Sequence, residues 1–498
     1  MGLISAVYIY PFVRTLCGAP DAGVFLNGAD LLNRGAIPSR DFVEPQGPGS
    51  FVWLAIWFRL FGPTLETARA VLAATGIALG LLTFWLSRRL GATGVFAAAF
   101  VVVMSVPLMP VNSPHYDSNV LALGALAIFL TAWDRVVEGE EPATWRLAAA
   151  AALCGVTTWS LQQKGALLAV ALIAALVCLM RKRAVKPVLV FAGVFSALAF
   201  FPFAVFAAKH ALPDVLYANY IWPMTTYSDI NAAPYGSPLW QHLVDTLQND
   251  GSSPVARMQA LTFGLPLLLV ATLPLVLPLA AGWSGRPWLQ IPMFPYWFAA
   301  YALWVSELHR IDIGHLRNGA MLMAVLFFSI CEASGRGVVR RAGLVLTLCI
   351  VLTGMTHFLM SWQGEKRETR RGTVYVEGDT AVLDFLDSHT QAGDEVFVYP
   401  YQPIYYFLEN LRNPTRFSYM LYRFNTKSQF LEATEDLERK EVRYVVFDKE
   451  FSGPRLAQVF PAYRQPADRD LIMEPYLAAH YGVVSEGRRF RVLQRLGQ

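Results

Sequence analysis

The run GALLAVALIAALVCLM (165–180), the turn RKRAVK (181–186) and the run PVLVFAGVFSALAFFPFAVFAA (187–208) decide the fold. Each run is close to the length that crosses a hydrocarbon core, roughly 20 residues at about 1.5 Å each. Neither contains Asp, Glu, Lys or Arg. In hydrocarbon every backbone amide must be satisfied within its own segment, so each run must be a helix. The turn between them carries Arg181, Lys182, Arg183 and Lys186. Short basic loops stay on the cytoplasmic side.

Comparable apolar runs lie at 2–17, 67–87, 92–112, 118–134, 146–162, 259–281, 290–306, 317–333 and 343–361, about eleven spans with the first two. Arg88-Arg89, Arg135 with Arg146, Arg286, and Arg336 with Arg340-Arg341 fall between alternate pairs. They assign 18–66, 113–117, 162–164, 209–258, 307–316 and everything after 362 to the outer side. An odd number of spans from an inner N-terminus gives the same answer for the C-terminus. The first span has no basic residue before it and Arg14 near its end, so it lacks the positive n-region of a cleaved signal peptide. It reads as an uncleaved anchor or as a start lacking some residues.

Composition agrees. Of 498 residues, 55% are hydrophobic and 16% charged, where soluble chains hold about 25% charged residues. A net charge of +4 gives no reason to expect nucleic acid as a partner. All five cysteines (Cys17, Cys154, Cys178, Cys331, Cys349) lie in or beside apolar runs, so the C-terminal region folds without disulfides.

The first outer segment has structure of its own. Val24, Phe25, Gly28, Leu31 and Leu32 repeat at helical spacing, with Asp21 at an N-cap position and Gly35 at a C′ position. This predicts an amphipathic helix over 21–35 at the membrane surface. The run 49–61 is too short to span and predicts a second interfacial helix. The segment 209–258 carries Tyr217, Tyr220, Trp222, Tyr227 and Tyr235, and loops of that length are commonly functional. After Trp362 the composition becomes that of a soluble α/β domain. Helices at 380–390, 402–410 and 426–439 alternate with strands at 395–399 and 442–447, and a hairpin closes 483–495. This predicts a small, mostly parallel sheet and a division into 1–362, a membrane domain, and 363–498, an extracytoplasmic α/β domain.

The span centres hold no Asp, Glu, Lys or Arg, and His357 is their only titratable side chain. Ionisable groups gather instead at the outer ends: Asp21, His115-Tyr116-Asp117, Lys164, and Glu307-Leu-His-Arg-Ile-Asp-Ile-Gly-His-Leu-Arg317. A bundle would bring them into one polar chamber at the outer surface, a place suited to a lipid-linked substrate. There a carboxylate can take the proton of an attacking hydroxyl and cations can stabilise a departing phosphate. Asp21 is the candidate base, and Lys164, Arg310 and Arg317 are candidate phosphate partners. Plainer readings compete. Asp21 and Asp117 can cap helices, and Lys164 and Arg317 can snorkel to the interface. Gly47-Pro48-Gly49 can be a simple turn. The loose pattern His309, Asp312, His315 can hold a metal, but no metal or other cofactor is expected.

Asp21-Ala-Gly-Val-Phe-Leu, Gly35-Ala-Ile-Pro-Ser-Arg-Asp41-Phe, Gly47-Pro-Gly-Ser-Phe and Leu60-Phe-Gly62 together resemble the first outer loop of C-type glycosyltransferases. The likeness is to the bacterial relatives of protein mannosyltransferases and of lipid A aminoarabinose transferase. Thr67-Ala-Arg69, Asp117, Gln162-Gln-Lys-Gly165, His309-Arg-Ile-Asp-Ile-Gly-His315 and the C-terminal Val398-Tyr-Pro-Tyr, Ile404-Tyr-Tyr-Phe and Asn413-Pro-Thr-Arg416 fit the same pattern. The resemblance implies a polytopic, inverting enzyme of the bacterial cytoplasmic (inner) membrane that uses a polyprenyl-phosphate sugar. Its acceptor, on the far side from the cytoplasm, would be a glycan, lipid or protein. Asp21 would be the base and Asp117 its assistant. Asp41, Arg69, His115, Lys164, His309, Arg310, Asp312, His315 and Arg317 would bind substrate. Two departures stand out: Asp21-Ala22 where many members have Asp-Glu, and Gln46-Gly47-Pro48 where many have Lys-Pro-Pro. A transporter or flippase, or a non-catalytic scaffold for lipid-linked sugars, is the alternative; charge-free span centres count against the first.

Overall fold

The computed structural model of the chain describes residues 1–15, 21–227, 237–249, 251–264, 268–269, 294–310, 313–333, 337–362, 364–376, 380–451, 456, 460 and 462–497. Nine helices come first: α1 (Gly2–Arg14), α2 (Asp21–Asn33), α3 (Gly49–Phe61), α4 (Leu65–Arg89), α5 (Val95–Met104), α6 (Pro114–Val137), α7 (Thr144–Ser160), α8 (Gln162–Met180) and α9 (Val185–Ala208). After several short helical turns and a twelve-residue helix at Ser237–Gln248 follow α10 (Phe294–Val305), α11 (Ile313–Gly319), α12 (Met321–Ala333) and α13 (Gly337–Met360). By length and composition α4, α6, the run α8–α9 and α13 can cross a membrane, and α1, α3, α5 and α12 are shorter apolar helices. Every expected span but 259–281 coincides with helix; that one lies mainly outside the described residues, as do Cys17 and residues 290–293.

The bundle core is built by repeats at helical spacing. Leu72, Leu79 and Leu86 of α4 meet Phe100 and Val101 of α5, and Leu126, Phe129 and Trp133 of α6, all fully or nearly fully buried. Outward, α9 exposes Leu189, Phe200 and Phe201 and α13 exposes Val345, Leu348 and Leu352. Such surface is costly in water and costs nothing against lipid tails.

The ends of the bundle are polar in two distinct ways. At one, Arg89 pairs with Asp134, Arg135 with Glu140 and Arg183 with Glu141, while Glu332 accepts from Thr93. These are the basic loops of the sequence reading. The opposite end collects the beginnings of α2, α3, α6 and α8, the end of α10, and the C-terminal region.

That region begins with the hairpin β1 (Glu365–Thr369) and β2 (Gly372–Val376). A second sheet contains β3 (Val396–Tyr399), β4 (Tyr444–Asp448), β5 (Tyr481–Glu486) and β6 (Phe490–Arg495) in the order β3-β4-β6-β5. Only β3 and β4 are parallel; β4–β6 and β6–β5 are antiparallel. The expected mostly parallel sheet is thus corrected to a mixed one. The short 487–489 turn forces β5 and β6 to run antiparallel, and β6 then inserts beside β4. One sheet face packs on α16 (Lys427–Arg439), closed by a Thr426–Gln429 capping box, and on α17 (Met473–His480). The other face, with Val396, Val398, Val446 and Val492, packs on α14 (Ala381–His389) and α15 (Ile404–Leu408).

This second core does not stop at the C-terminal region. It runs on into Ala22, Leu26 and Ala29 of α2 and Leu54 and Phe58 of α3. The other face of α2 is covered too: Phe25 stacks on Phe51 with centroids 5.4 Å apart. A Cβ on Gly28 would lie 2.6 Å from the Phe51 ring, and one on Gly23 would lie 2.1 Å from the Ile404 nitrogen. The apolar stripe read as membrane-facing therefore packs on protein. Gly35 ends α2 with φ +92°, as its position foretold. Helix α3 does keep an exposed apolar stripe: Trp53, Ile56, Leu60 and Phe61.

A buried ion pair pins the joint. Arg371, in the β1–β2 turn, donates to both oxygens of Asp30 on α2 at 2.9 and 3.3 Å, and also to the Pro63 carbonyl and to Asn410 Oδ1. Removing one partner of a buried pair strands the other charge at a cost of roughly 3–5 kcal/mol. Asp30→Ala is expected at the low end, about 3 kcal/mol, because two acceptors of Arg371 remain. Thermal unfolding in detergent checks this; an unchanged midpoint would show that the pair does not hold the joint.

Candidate active site

Asp21 opens α2 and accepts a hydrogen bond from the Tyr401 hydroxyl at 3.1 Å on Oδ1. Tyr401 comes from the loop after β3 and packs on Tyr419 and Phe451. Burial, the Asp21 charge and the nearby Tyr419 and Glu44 keep its phenol protonated far above the usual range. Glu44, in the extended segment before α3, is 1% exposed. Neither of its oxygens has a hydrogen bond of ordinary geometry, although the Ser418 hydroxyl lies close enough to offset part of the effect of burial. Burial first, then the charge of Asp21, pushes the Glu44 carboxyl up to about 8. At neutral pH Glu44 is a carboxylic acid beside Asp21.

The segment after Glu44 carries the chain to a second cluster. Gly47 and Gly49 lie directly on the backbone at Trp159 and Ser160: a Cβ would come 2.3 Å from the Trp159 oxygen or 2.6 Å from Ser160 Oγ. Gly47-Pro48-Gly49 is therefore a close-packed crossing, beyond a simple turn. Next to it Ser50, at the start of α3, faces Asp117 on the first turn of α6. Ser113 caps that helix, accepting from the His115 amide at 3.3 Å, so the cap read for Asp117 belongs to Ser113.

The deepest group in this cluster is Lys164. It is 0% exposed and its ammonium donates to Glu307 Oε1 at 2.6 Å and to Asn119 Oδ1 at 2.9 Å. The snorkelling reading is corrected: α8 starts so deep against α6 and α10 that the side chain has no route to water. Arg317, 4% exposed, likewise does not snorkel; it donates to the Tyr116 hydroxyl at 3.0 Å. Burial opposes ionisation of Glu307, but His115 and Lys164 outweigh it and hold the carboxylate well below its usual range. His115 Nδ1 stands 3.1 Å from Glu307 Oε2. His315 meets both His115 and His309 edge to face, at 4.8 and 5.0 Å between centroids. Burial and the neighbouring His315 hold His309 below its ordinary value.

The structure thus gathers Asp117, His115, Lys164, His309, His315 and Arg317, and separately Asp21, at the same end of the bundle. Arg310 leaves the cluster to lie 5.0 Å from the ring of Phe460. Arg69 is not brought there: it donates to the carbonyls of Thr373 and Arg14 and ties α4 to β2 and α1. Asp41 forms a surface pair with Arg40 at 2.7 Å and accepts from the Ile37 amide. Asp312 lies outside the described residues. The sequence reading did not nominate Glu44, Glu307, Asn119 or Tyr401. Glu44 is the lone acid in a run of apolar, proline and glycine residues, and Glu307 the lone acid at the end of its span, which was the available signal. The 209–258 aromatics found a partner as well: Trp222 donates to the Phe424 carbonyl at 2.9 Å and Tyr227 packs on the same ring.

No protein-family model and no curated protein sequence matches the chain. Solved structures do. ArnT from Cupriavidus metallidurans bound to undecaprenyl phosphate aligns over 100% of this chain and 97% of its own, with TM-score 0.54 and 12% identity. The apo form aligns over 99% and 96%, with TM-score 0.52 and 12% identity. The chain shares the fold of ArnT along its whole length, as the sequence resemblance implied.

Two outcomes follow from this geometry. Lys164→Met is expected to cost at least about 3 kcal/mol by stranding Glu307, and Lys164→Met with Glu307→Gln to recover most of it. Thermal unfolding of the two variants decides, and equal loss in both would contradict the pairing. Glu44, raised from an ordinary 4.5 to about 8 in the folded chain, contributes stability that is complete below pH about 4.5 and lost as pH rises through about 8. Glu44→Gln is therefore expected to flatten the fall in melting temperature between pH 5 and 8.

Proposed function

We propose that the chain is a membrane glycosyltransferase that moves a sugar from a polyprenyl-phosphate donor to an acceptor hydroxyl, with inversion. The observation that carries the reading is the pairing of Asp21 with Tyr401 and Glu44, set across the glycine crossing from the Lys164–His115–Arg317 cluster. The match to ArnT, solved with undecaprenyl phosphate, supports a polyprenyl phosphate as the donor's carrier.

Each group has a task that its surroundings favour. Tyr401 holds Oδ1 of Asp21, which leaves Oδ2 to accept the proton of the acceptor hydroxyl. The oxygen so activated attacks the anomeric carbon from the face opposite the phosphate. As that bond forms, the bond from the anomeric carbon to the phosphate oxygen breaks, and its electron pair leaves with the phosphate. Single displacement inverts the centre. Neutral Glu44 adds no second negative charge beside the base. Asp117, facing Ser50, is the second carboxylate and orients the sugar. Arg317, behind Tyr116, provides positive potential for the phosphate, and Lys164 with the histidines offers it N–H donors. The C-terminal region supplies Tyr401 and so helps to form the chamber. The chain would act as a multi-pass protein of a bacterial inner membrane, with this end outside the cytoplasm.

Turnover of radiolabelled polyprenyl-phosphate sugars by the protein in lipid tests the proposal. Asp21→Asn is expected to lose roughly 100-fold or more, the scale of a general base. Tyr401→Phe should lose about tenfold, the lower range for a hydrogen bond to a charged group. Unchanged transfer by Asp21→Asn would remove the base, and no transfer by the unaltered protein with any donor would favour a carrier or scaffold.

A further inference from the structure

We propose that His115, Glu307 and His315 bind a divalent transition ion of the zinc class, whose open position takes a phosphate oxygen. The first clause stands on the structure's geometry alone; the second rests on the proposed function. Three separate elements deliver the ligands: the first turn of α6, the turn after α10, and α11. One donor atom from each lies within 4.8 Å of the other two. The tightest pair, His115 Nδ1 and Glu307 Oε2, is 3.1 Å apart. Two donors about 2.1 Å from one tetrahedral ion stand roughly 3.4 Å apart, so this pair is already at ligand spacing. The His315 ring stands edge to face on His115 at 4.8 Å between centroids, and its donor completes the set.

An independent feature points the same way. Glu307 is 3% exposed, and its Oε2 makes no hydrogen bond despite its nearness to the imidazole. Buried carboxylate oxygens rarely go without a partner. Oε1 takes Lys164 at 2.6 Å and His115 Nδ1 at 3.2 Å, which fixes the carboxylate with Oε2 3.1 Å from the same imidazole nitrogen, the usual work of an outer-shell partner. Two imidazoles and one carboxylate with a vacant fourth position form the donor set of catalytic zinc sites. The charges also require an anion. Lys164 already balances Glu307, so a divalent ion would remain uncompensated until a phosphate arrived.

The test uses the whole protein in detergent, stripped with chelator and titrated with Co²⁺. The expected result is one equivalent bound with the strong visible absorption of a four-coordinate site, displaced by Zn²⁺. His115→Ala and His315→Ala should each weaken binding at least tenfold while keeping the parent's helical circular dichroism in chelator. If a variant fails to fold, the parent spectrum still decides. No stoichiometric binding, or weak octahedral absorption unaffected by either substitution, overturns the site and leaves a His115–Glu307 ion pair only. Undecaprenyl phosphate added to the Co²⁺ form should shift the spectrum. Binding without that shift keeps the metal site and overturns its role with phosphate, whatever the transfer assay gives.

Discussion

A bundle that faces lipid can keep charge only where charge is paired or where water reaches, and most of this structure follows from that constraint. The helix centres are apolar, and ionisable groups are driven to the two ends. One end is a set of exposed or half-exposed pairs such as Arg183–Glu141, worth little individually. The other is different in kind, because Lys164 and Glu307 are withdrawn from solvent altogether. Such a pair is weak evidence for stability, since desolvation offsets much of its attraction. What it does supply is position: the start of α8, the end of α10 and Asn119 on α6 must meet for either charge to be tolerated.

Helix α2 extends that organisation to the C-terminal region. A helix read from its stripe as resting on a membrane is instead a wedge with protein on both faces, α3 on one and α15 on the other. The contacts are too close for side chains at Gly23 and Gly28. The sheet therefore shares a core with the first outer loop, and Tyr401 reaches Asp21 as a consequence of that packing. Arg371 and Asp30 seal the same joint. Placement of the base and attachment of the C-terminal region are one problem with one solution.

Much of this was legible from composition and period. Helical runs, basic turns and the gathering of acids and bases at one end rest on the length of a span and the cost of a buried charge, which are local properties. Sheet order was not legible, because β6 pairs with β4 through contacts between residues about 50 apart, and period-2 patterns fix faces without fixing neighbours. The role of Arg69 was hidden for a related reason. An arginine at the start of a span looks the same whether it serves a ligand or, as here, the carbonyls of Thr373 and Arg14. Glu44 was missed because its neighbours in sequence are bland. Its neighbours in space, Asp21, Tyr401, Tyr419 and Ser418, come from α2 and from the far end of the chain.

Glu44 also shows why two carboxyls can share one buried pocket. If both ionised, their repulsion would add to the desolvation of each, with no cation among the groups that set the Glu44 value. The pocket resolves this by asymmetry. Asp21 lies at a helix start, where backbone N–H groups favour an anion, and it receives the Tyr401 hydroxyl. Glu44 lies in extended chain with only Ser418 nearby. Burial and the neighbouring Asp21 leave the proton on Glu44. A neutral acid at this position adds no second charge beside the base, and Tyr401 occupies only one of its two oxygens.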